Sequence, residues 1–377
     1  MYCIRSGEIS RIADGRSVEF TSPFAQEYYD QENANFQRGA WKRGDGRDTG
    51  IVTRSMLWGA NGQARKPQPP RASFITQRGS RLYYVLEMAN SAGLFYFDCA
   101  TGQETRLFHG SDFTPSGVCV GDDYSLISTA SEPDGSVHLT LLNENGRLVQ
   151  TLTSGDCVDE RPFRVADFVY YQSSGLARGP NGEIARRSPT AICRLELSSG
   201  EVEEVVASPV HDYLLPMAAA DGSLYCIRAE YVPFGRYPIQ NILLDAVLFP
   251  WRICIALFGF LNAFSVLFGK RSLTTAGGPD TPPVDMTRHM IHNRMIDLSN
   301  VRPGDKKRLA ATRDWKLMRI CDGKQSVVAS HALWYTLDES GAPIYTDGFS
   351  VFDTDGRAIY SSDGLITCLA RDGGDTE

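Results

Sequence analysis

Across residues 190–206, apolar and polar side chains alternate on either side of a Ser-Ser-Gly turn that ends on Gly200. A period of two places the apolar set on one face of an extended chain, so the stretch predicts two half-buried strands joined by a tight turn. Asp221-Gly222 marks a second turn, and a third strand follows at once over residues 224–227.

This unit recurs. Gly79 leads into runs at 82–86 and 94–97, a turn at Gly102 and a further run at 104–108. Gly121-Asp122 opens the next copy, with runs at 125–128 and 137–142, an Asn145-Gly146 turn and a run at 148–152; residues 168–172 begin the copy that contains Gly200. Gly62, Gly102, Gly146 and Gly200 stand 40, 44 and 54 residues apart, a spacing that fits four-stranded propeller blades with variable loops. At the start of the chain a strand pair is expected at 2–4 and 9–12 about Ser6-Gly7. An Arg-rich stretch to Arg54 carries only weak strand signals, and residues 55–58, Asn61-Gly62 and Pro67, Pro69 and Pro70 close the first full unit.

The pattern stops after Tyr231 and resumes at Trp315, with a turn at Asp322-Gly323 and a run at 326–329. These runs read as the outer two strands of the blade whose inner strand is residues 224–227, so the interval is an insertion within one blade. Further strands are expected at 332–337, 350–353, 358–361 and 365–369, with turns at Asp355-Gly356 and Asp363-Gly364. The last run lacks an outer strand, and residues 1–12 supply one, closing the ring and removing its open edges. Roughly 300 residues remain without the insertion, so an all-β propeller of six blades is favoured, with seven as the alternative. The expected domains are 1–231 and 315–377 for the propeller and 232–314 for the insertion.

A second landmark keeps step with the turns. Asp112-Phe-Thr-Pro115, Asp159-Glu-Arg-Pro162 and Asp212-Tyr-Leu-Leu-Pro216 each precede an expected innermost strand. In this the chain resembles the TolB-like six-bladed β-propellers, a fold related to the propellers of prolyl-oligopeptidase-like peptidases, in which an Asp, a Pro and a later Asp-Gly punctuate each blade. The resemblance covers residues 72–231 well and the ends loosely. The Trp-Ser-Pro-Asp-Gly core of that group is replaced by Met217-Ala-Ala-Ala-Asp221-Gly222, so the resemblance implies architecture and carries no activity.

Within the insertion, residues 239–249 are apolar apart from Gln240, Asn241 and Asp245, and Pro250, Trp251 and Arg252 interrupt. Residues 253–269 then run seventeen positions without a charge, ending against Lys270-Arg271. With no alternation, that run predicts a helix of roughly 25 Å, short of the roughly 30 Å hydrocarbon core of a bilayer. Because the flanking strands share a blade, one simple crossing is excluded; a hairpin bent at Pro250, an in-plane helix or a subdomain core remain. Arg252, Ala256, Gly259, Asn262 and Ala263 mark one helical face, while Phe258, Phe260, Leu261, Phe264, Leu267 and Phe268 spread over the rest. Residues 270–319 carry a net charge of +6 in a chain of net charge -7, a balance that favours anionic headgroups. The expected contact set for a membrane or partner is Trp251, Arg252, Phe258, Phe260, Leu261, Phe264, Leu267, Phe268, Lys270 and Arg271. Packing of this segment against the propeller or a second subunit, making it an oligomerisation device, is the competing reading.

Chemistry is harder to find. Nine cysteines are scattered without a CxxC pair, as expected of structural thiols in a reducing, cytoplasmic setting, and the N-terminus has no secretory pattern. His289-Met-Ile-His292 would put two imidazoles on one helical face, but no further ligand accompanies them. No HExxH, GxSxG, Walker A or GxGxxG setting occurs, so neither a cofactor nor a catalytic residue is expected from motif. Asp112, Asp159 and Asp212 either form a ring in the central channel or cap turns, and capping is favoured. The basic stretch 38–81 reads as a solvated loop, and no nucleic-acid partner is expected. The sequence therefore favours a non-enzymatic scaffold that presents loops to a protein partner and docks on the inner face of a membrane. The alternative is a hydrolase or lyase with its site in the central funnel.

Overall fold

The alternating runs among the described residues are extended, and the run expected at 55–58 lies outside them. The computed structural model describes residues 1–13, 15–38, 67–89, 91–110, 115–233, 288–291, 294–297 and 314–371. The chain opens with β1 (Tyr2–Arg5), β2 (Glu8–Ala13) and β3 (Arg16–Phe20), followed by a helix, α1 (Pro23–Arg38). An antiparallel four-stranded sheet comes next, formed by β4 (Arg71–Arg78), β5 (Arg81–Glu87), β6 (Ala92–Asp98) and β7 (Gln103–Gly110). Another contains β8 (Val118–Val120), β9 (Leu126–Ser131), β10 (Val137–Leu142) and β11 (Leu148–Thr151). After β12 (Cys157–Val165) and β13 (Phe168–Arg178), β14 (Ile184–Arg187) pairs only with the far end of β13, and β15 (Ala191–Glu196) and β16 (Val202–Val206) complete the sheet.

The next sheet starts with β17 (His211–Ala218) and β18 (Leu224–Glu230). After a separate hairpin of β19 (Arg288–Ile291) and β20 (Arg294–Asp297), it finishes with β21 (Lys316–Cys321) and β22 (Lys324–Ser330). Its β18 and β21 pair from Leu224↔Ile320 to Arg228↔Lys316, so the intervening residues are inserted between neighbouring strands. Finally β23 (Trp334–Leu337), β24 (Pro343–Thr346), β25 (Ser350–Phe352) and β26 (Ala358–Ser361) form a sheet, and β27 (Ile366–Ala370) adds to β1.

The innermost strands β4, β8, β12, β17, β23 and β27 each pack against the next, and β27 packs against β4. The described residues thus form a β-propeller of six four-stranded units, the first built from both chain ends through Tyr2↔Ala370, Cys3↔Leu369 and Ile4↔Cys368. One parallel bridge, Val137↔Val158, welds the β8–β11 unit to the β12 unit. The core lies between sheets rather than inside any one of them. Tyr83, Val85 and Leu94 meet Val118, Leu126 and Leu142; Ile127 and Leu139 meet Val169, Tyr171 and Leu195; Ile192 and Val206 meet Tyr213, Leu224, Cys226 and Met318. Gly146 serves both needs of such a fold: its φ of 74° closes a turn, and a Cβ there would stand 2.8 Å from the Leu107 carbonyl oxygen of the neighbouring sheet. By contact the chain divides into two compact units, Met1–Tyr231 with Pro303–Glu377, and Val232–Arg302.

Some expectations change. The Arg-rich stretch holds a strand, β3, and then a helix, because Ser22 caps α1 by accepting from the Ala25 N–H at 3.1 Å and Pro23 occupies the first helical position. Glu104 adds a carboxylate at that helix start: it accepts the Phe24 N–H at 2.8 Å and the hydroxyls of Ser22 and Tyr84. His289 lies in a hairpin strand, not on a helix, in antiparallel register with Ile296; His292 lies outside the described residues. The Asp-to-Pro landmarks at Asp159 and Asp212 do not precede the innermost strands but lie inside β12 and β17. Each proline sits at a break in register, between Glu160 and Phe163 and between Leu214 and Met217, where the ladder asks for no N–H.

The break at Leu215 is held from both sides. Leu215 has φ 53°, its N–H donates to Gln172 Oε1 at 3.1 Å, and its carbonyl accepts from the buried Tyr335 hydroxyl at 2.5 Å. Tyr335→Phe leaves that buried carbonyl without its donor, so denaturant unfolding should show a loss of about 1–3 kcal/mol. The buried thiols give a second prediction. Burial pushes Cys3 and Cys119 up to about 11, and Cys226 and Cys368 up to about 12, from an ordinary 9.0. Above that ordinary value the unfolded chain releases protons that the folded chain retains, so stability falls as pH rises from 9 toward 11–12. Urea midpoints measured in reductant should decline across this window, with a limiting slope of about 1.4 kcal/mol per thiol per pH unit, and Cys226→Ala should make the decline shallower.

Candidate functional site

Six strands that converge on an axis leave a channel where their inner edges cannot meet. A cavity of about 510 Å³ lies there, lined from β4, β8, β12, β17, β23 and β27. The turns that follow these strands form its mouth, with Asp122, Ala166, Ala220 and Gly341 among the lining residues.

Most cations of the cavity wall are neutralised locally. Arg78 pairs with Asp122, Arg371 lies 3.1 Å from Glu339, and Arg164 reaches Asp123 at 3.4 Å and the Ser125 hydroxyl at 2.8 Å. Arg161 differs. Its guanidinium carbon stands 4.9 Å from the Trp334 ring centroid and 5.6 Å from that of Phe74, a cation–π clamp contributed by β23 and β4. Nη1 is shielded from solvent and has no hydrogen-bond partner among the described residues. Burial lowers the proton affinity of the group, with Glu160, Cys368 and Glu87 acting in the opposite sense, yet a guanidinium remains protonated in proteins.

Local backbone geometry puts Arg161 there. Its φ is 55°, a left-handed conformation rare for a bulky side chain, at the register break just before Pro162. Gly117 leaves room beside it, since a Cβ there would stand 3.3 Å from Arg161 Cδ. Such a backbone costs about 1–3 kcal/mol and persists only where the surroundings fix it; here it aims a cation into the axial cavity. The sequence placed Arg161 inside a landmark and assigned it no role.

The acidic ring does not form. Neither Asp159 nor Asp212 is among the cavity-lining residues. Asp212 Oδ1 accepts the Thr190 N–H of the preceding unit at 2.8 Å, a bond between sheets rather than the turn cap expected of it, and Asp112 lies outside the described residues. No histidine is found among the described lining residues. The lining thiol, Cys119, accepts the Arg164 N–H at 2.9 Å and is held protonated by burial, so it is not poised as a nucleophile. Side chains suited to a metal lie instead between β10 and β12, where His138, Cys157 and Asp159 converge. The contact set at Trp251, Arg252, Phe258, Phe260, Leu261, Phe264, Leu267, Phe268, Lys270 and Arg271 lies outside the described residues.

No family model and no curated protein matches the chain. Among solved structures it is similar to a crystal structure of a nidogen/laminin complex, at 8% identity over 98% of this chain and 96% of that one, with a TM-score of 0.48. It is also similar to TolB from Acinetobacter baumannii, at 12% identity over 78% of this chain and 55% of that one, with a TM-score of 0.38. A TolB structure from Agrobacterium tumefaciens, itself described as putative, gives 9% identity over 81% and 86%, with a TM-score of 0.42. These are likenesses of fold to TolB and other propeller proteins, and they carry no activity across; the ring itself stands on this chain's own strand pairing.

Proposed function

We propose that this propeller is a non-enzymatic binding module whose axial cavity receives a carboxylate-bearing segment of a protein partner. The observation that carries the reading is Arg161, a cation clamped between Phe74 and Trp334 in the cavity wall, with Nη1 lacking a partner. A guanidinium so placed offers a planar pair of donors matched to a carboxylate, and the aromatic walls offer apolar area to the atoms beside it. The mouth is made of turns, the segments that most readily vary to suit a partner.

Purification of the full chain from its native cells under mild conditions tests this. A stoichiometric partner should accompany the wild type and Arg194→Gln, an outer-strand arginine paired with Glu203 at 2.5 Å, and should be lost from Arg161→Gln. Recovery of the bare chain, or equal recovery with Arg161→Gln, overturns the reading. Turnover of a small carboxylate that depends on Arg161 would move the assignment to the hydrolase or lyase alternative.

A second reading concerns the insertion, and the sequence supports it: seventeen uncharged residues, 253–269, end at Lys270-Arg271. We propose that this segment holds the protein on the anionic inner face of a membrane. Among the described residues no helix is long and apolar enough to cross one. The full chain should sediment with phosphatidylserine vesicles and not with neutral ones. The double change Lys270→Gln and Arg271→Gln should weaken binding about 30-fold, at about 1 kcal/mol per charge. A chain that ignores anionic vesicles would refute this reading.

A further inference from the structure

We propose that His138, Cys157 and Asp159 form a site for a zinc-class divalent cation that staples the β8–β11 unit to the β12 unit. The residues come from two sheets. His138 is on β10, while Cys157 and Asp159 are two apart on β12, on one face of that strand. Between them lies Val137↔Val158, the bridge at which the two units hydrogen-bond to each other, so the backbone fixes the separation of the donors.

The donor spacing suits a tetrahedral ion. Cys157 Sγ lies 3.9 Å from His138 Nδ1 and 3.3 Å from Asp159 Oδ2, and the three ligand atoms are all within 4.8 Å of one another. Zinc bonds of about 2.0–2.3 Å at tetrahedral angles separate their ligands by about 3.5 Å, so small side-chain movements bring all three onto one centre. One sulfur, one imidazole nitrogen and one carboxylate make a donor set that selects zinc over magnesium or calcium.

A second observation is the state of the carboxylate. Asp159 is 2% exposed and His138 8% exposed. Among the described residues Asp159 Oδ1 has no hydrogen-bond partner, and Oδ2 accepts from the Cys157 thiol. A buried carboxylate with one oxygen unmatched is costly unless a cation meets it. Cys157 would bind as the thiolate, its proton passing to solvent.

Cobalt(II) is the probe. The full chain, purified with a chelator and then freed of it, should bind one equivalent tightly. The complex should show a thiolate-to-cobalt charge-transfer band and the intense visible bands of tetrahedral cobalt, and zinc should displace it. Cys157→Ser should lose the charge-transfer band, and Asp159→Asn should weaken binding at least about 10-fold, whereas Cys99→Ser, at an exposed thiol in the turn between β6 and β7, should bind as the wild type does. Circular dichroism establishes that each variant is folded. The proposal fails if the wild type takes up no stoichiometric cobalt, or if the charge-transfer band survives undiminished in folded Cys157→Ser.

Discussion

The pairing of β27 with β1 is the constraint on which the rest of the structure depends. A four-stranded sheet cannot bury both faces by itself, and the apolar layers of this protein lie between sheets. Each sheet therefore needs a neighbour on both sides, and a linear row would leave two faces bare. Building one sheet from residues 366–370 and 2–20 removes both ends at once. Such closure joins the most distant parts of the chain, which makes folding depend on contacts of high sequence separation. It also explains the tolerance of a long insertion. The β18–β21 connection joins a second strand to a third, so neither the inner ring nor the closing pair is interrupted.

Closing six strands around an axis has a further consequence at the inner edges. The innermost strands of two units break register at their prolines, and the residue before each, Arg161 or Leu215, is left-handed. At Leu215 the displaced peptide is matched from the neighbouring sheets, its N–H by Gln172 and its carbonyl by Tyr335. That arrangement is structural. At Arg161 the same device turns a cation toward the cavity between two rings. One backbone motif therefore serves as a joint in one sheet and as a presenting element in another, and the side chain decides which.

Period-two alternation made most middle and outer strands and the closing pair legible, because half-burial writes itself into residue order, whereas the innermost β4, β8, β12 and β17 were not read as strands. The helix α1 was not legible, since none of its side chains is fully buried and so no apolar stripe marks it. Its start was signalled by Ser22-Pro23, which the surrounding charges obscured. Arg161 could be located but not interpreted: whether an arginine meets an acid or an aromatic clamp depends on β4 and β23, far away in sequence. His138 and Cys157 likewise sit nineteen positions apart with no motif spacing, and only the bridge between two units brings them together.

Asp159 and Asp212 show why pattern alone could not separate structure from chemistry. Both open the same Asp-to-Pro landmark, both lie inside an innermost strand, and both are buried. Asp212 accepts a backbone N–H from Thr190 in the preceding unit, so its charge helps to join two sheets. At Asp159, Oδ2 accepts from a thiol and Oδ1 meets no donor among the described residues. A buried carboxylate served only by a weak S–H donor is less well stabilised than one served by an amide. If joining neighbouring sheets were its whole role, the Asp212 arrangement would meet the need at lower cost. The difference between the two positions therefore points to a demand on Asp159 that its own fold does not meet.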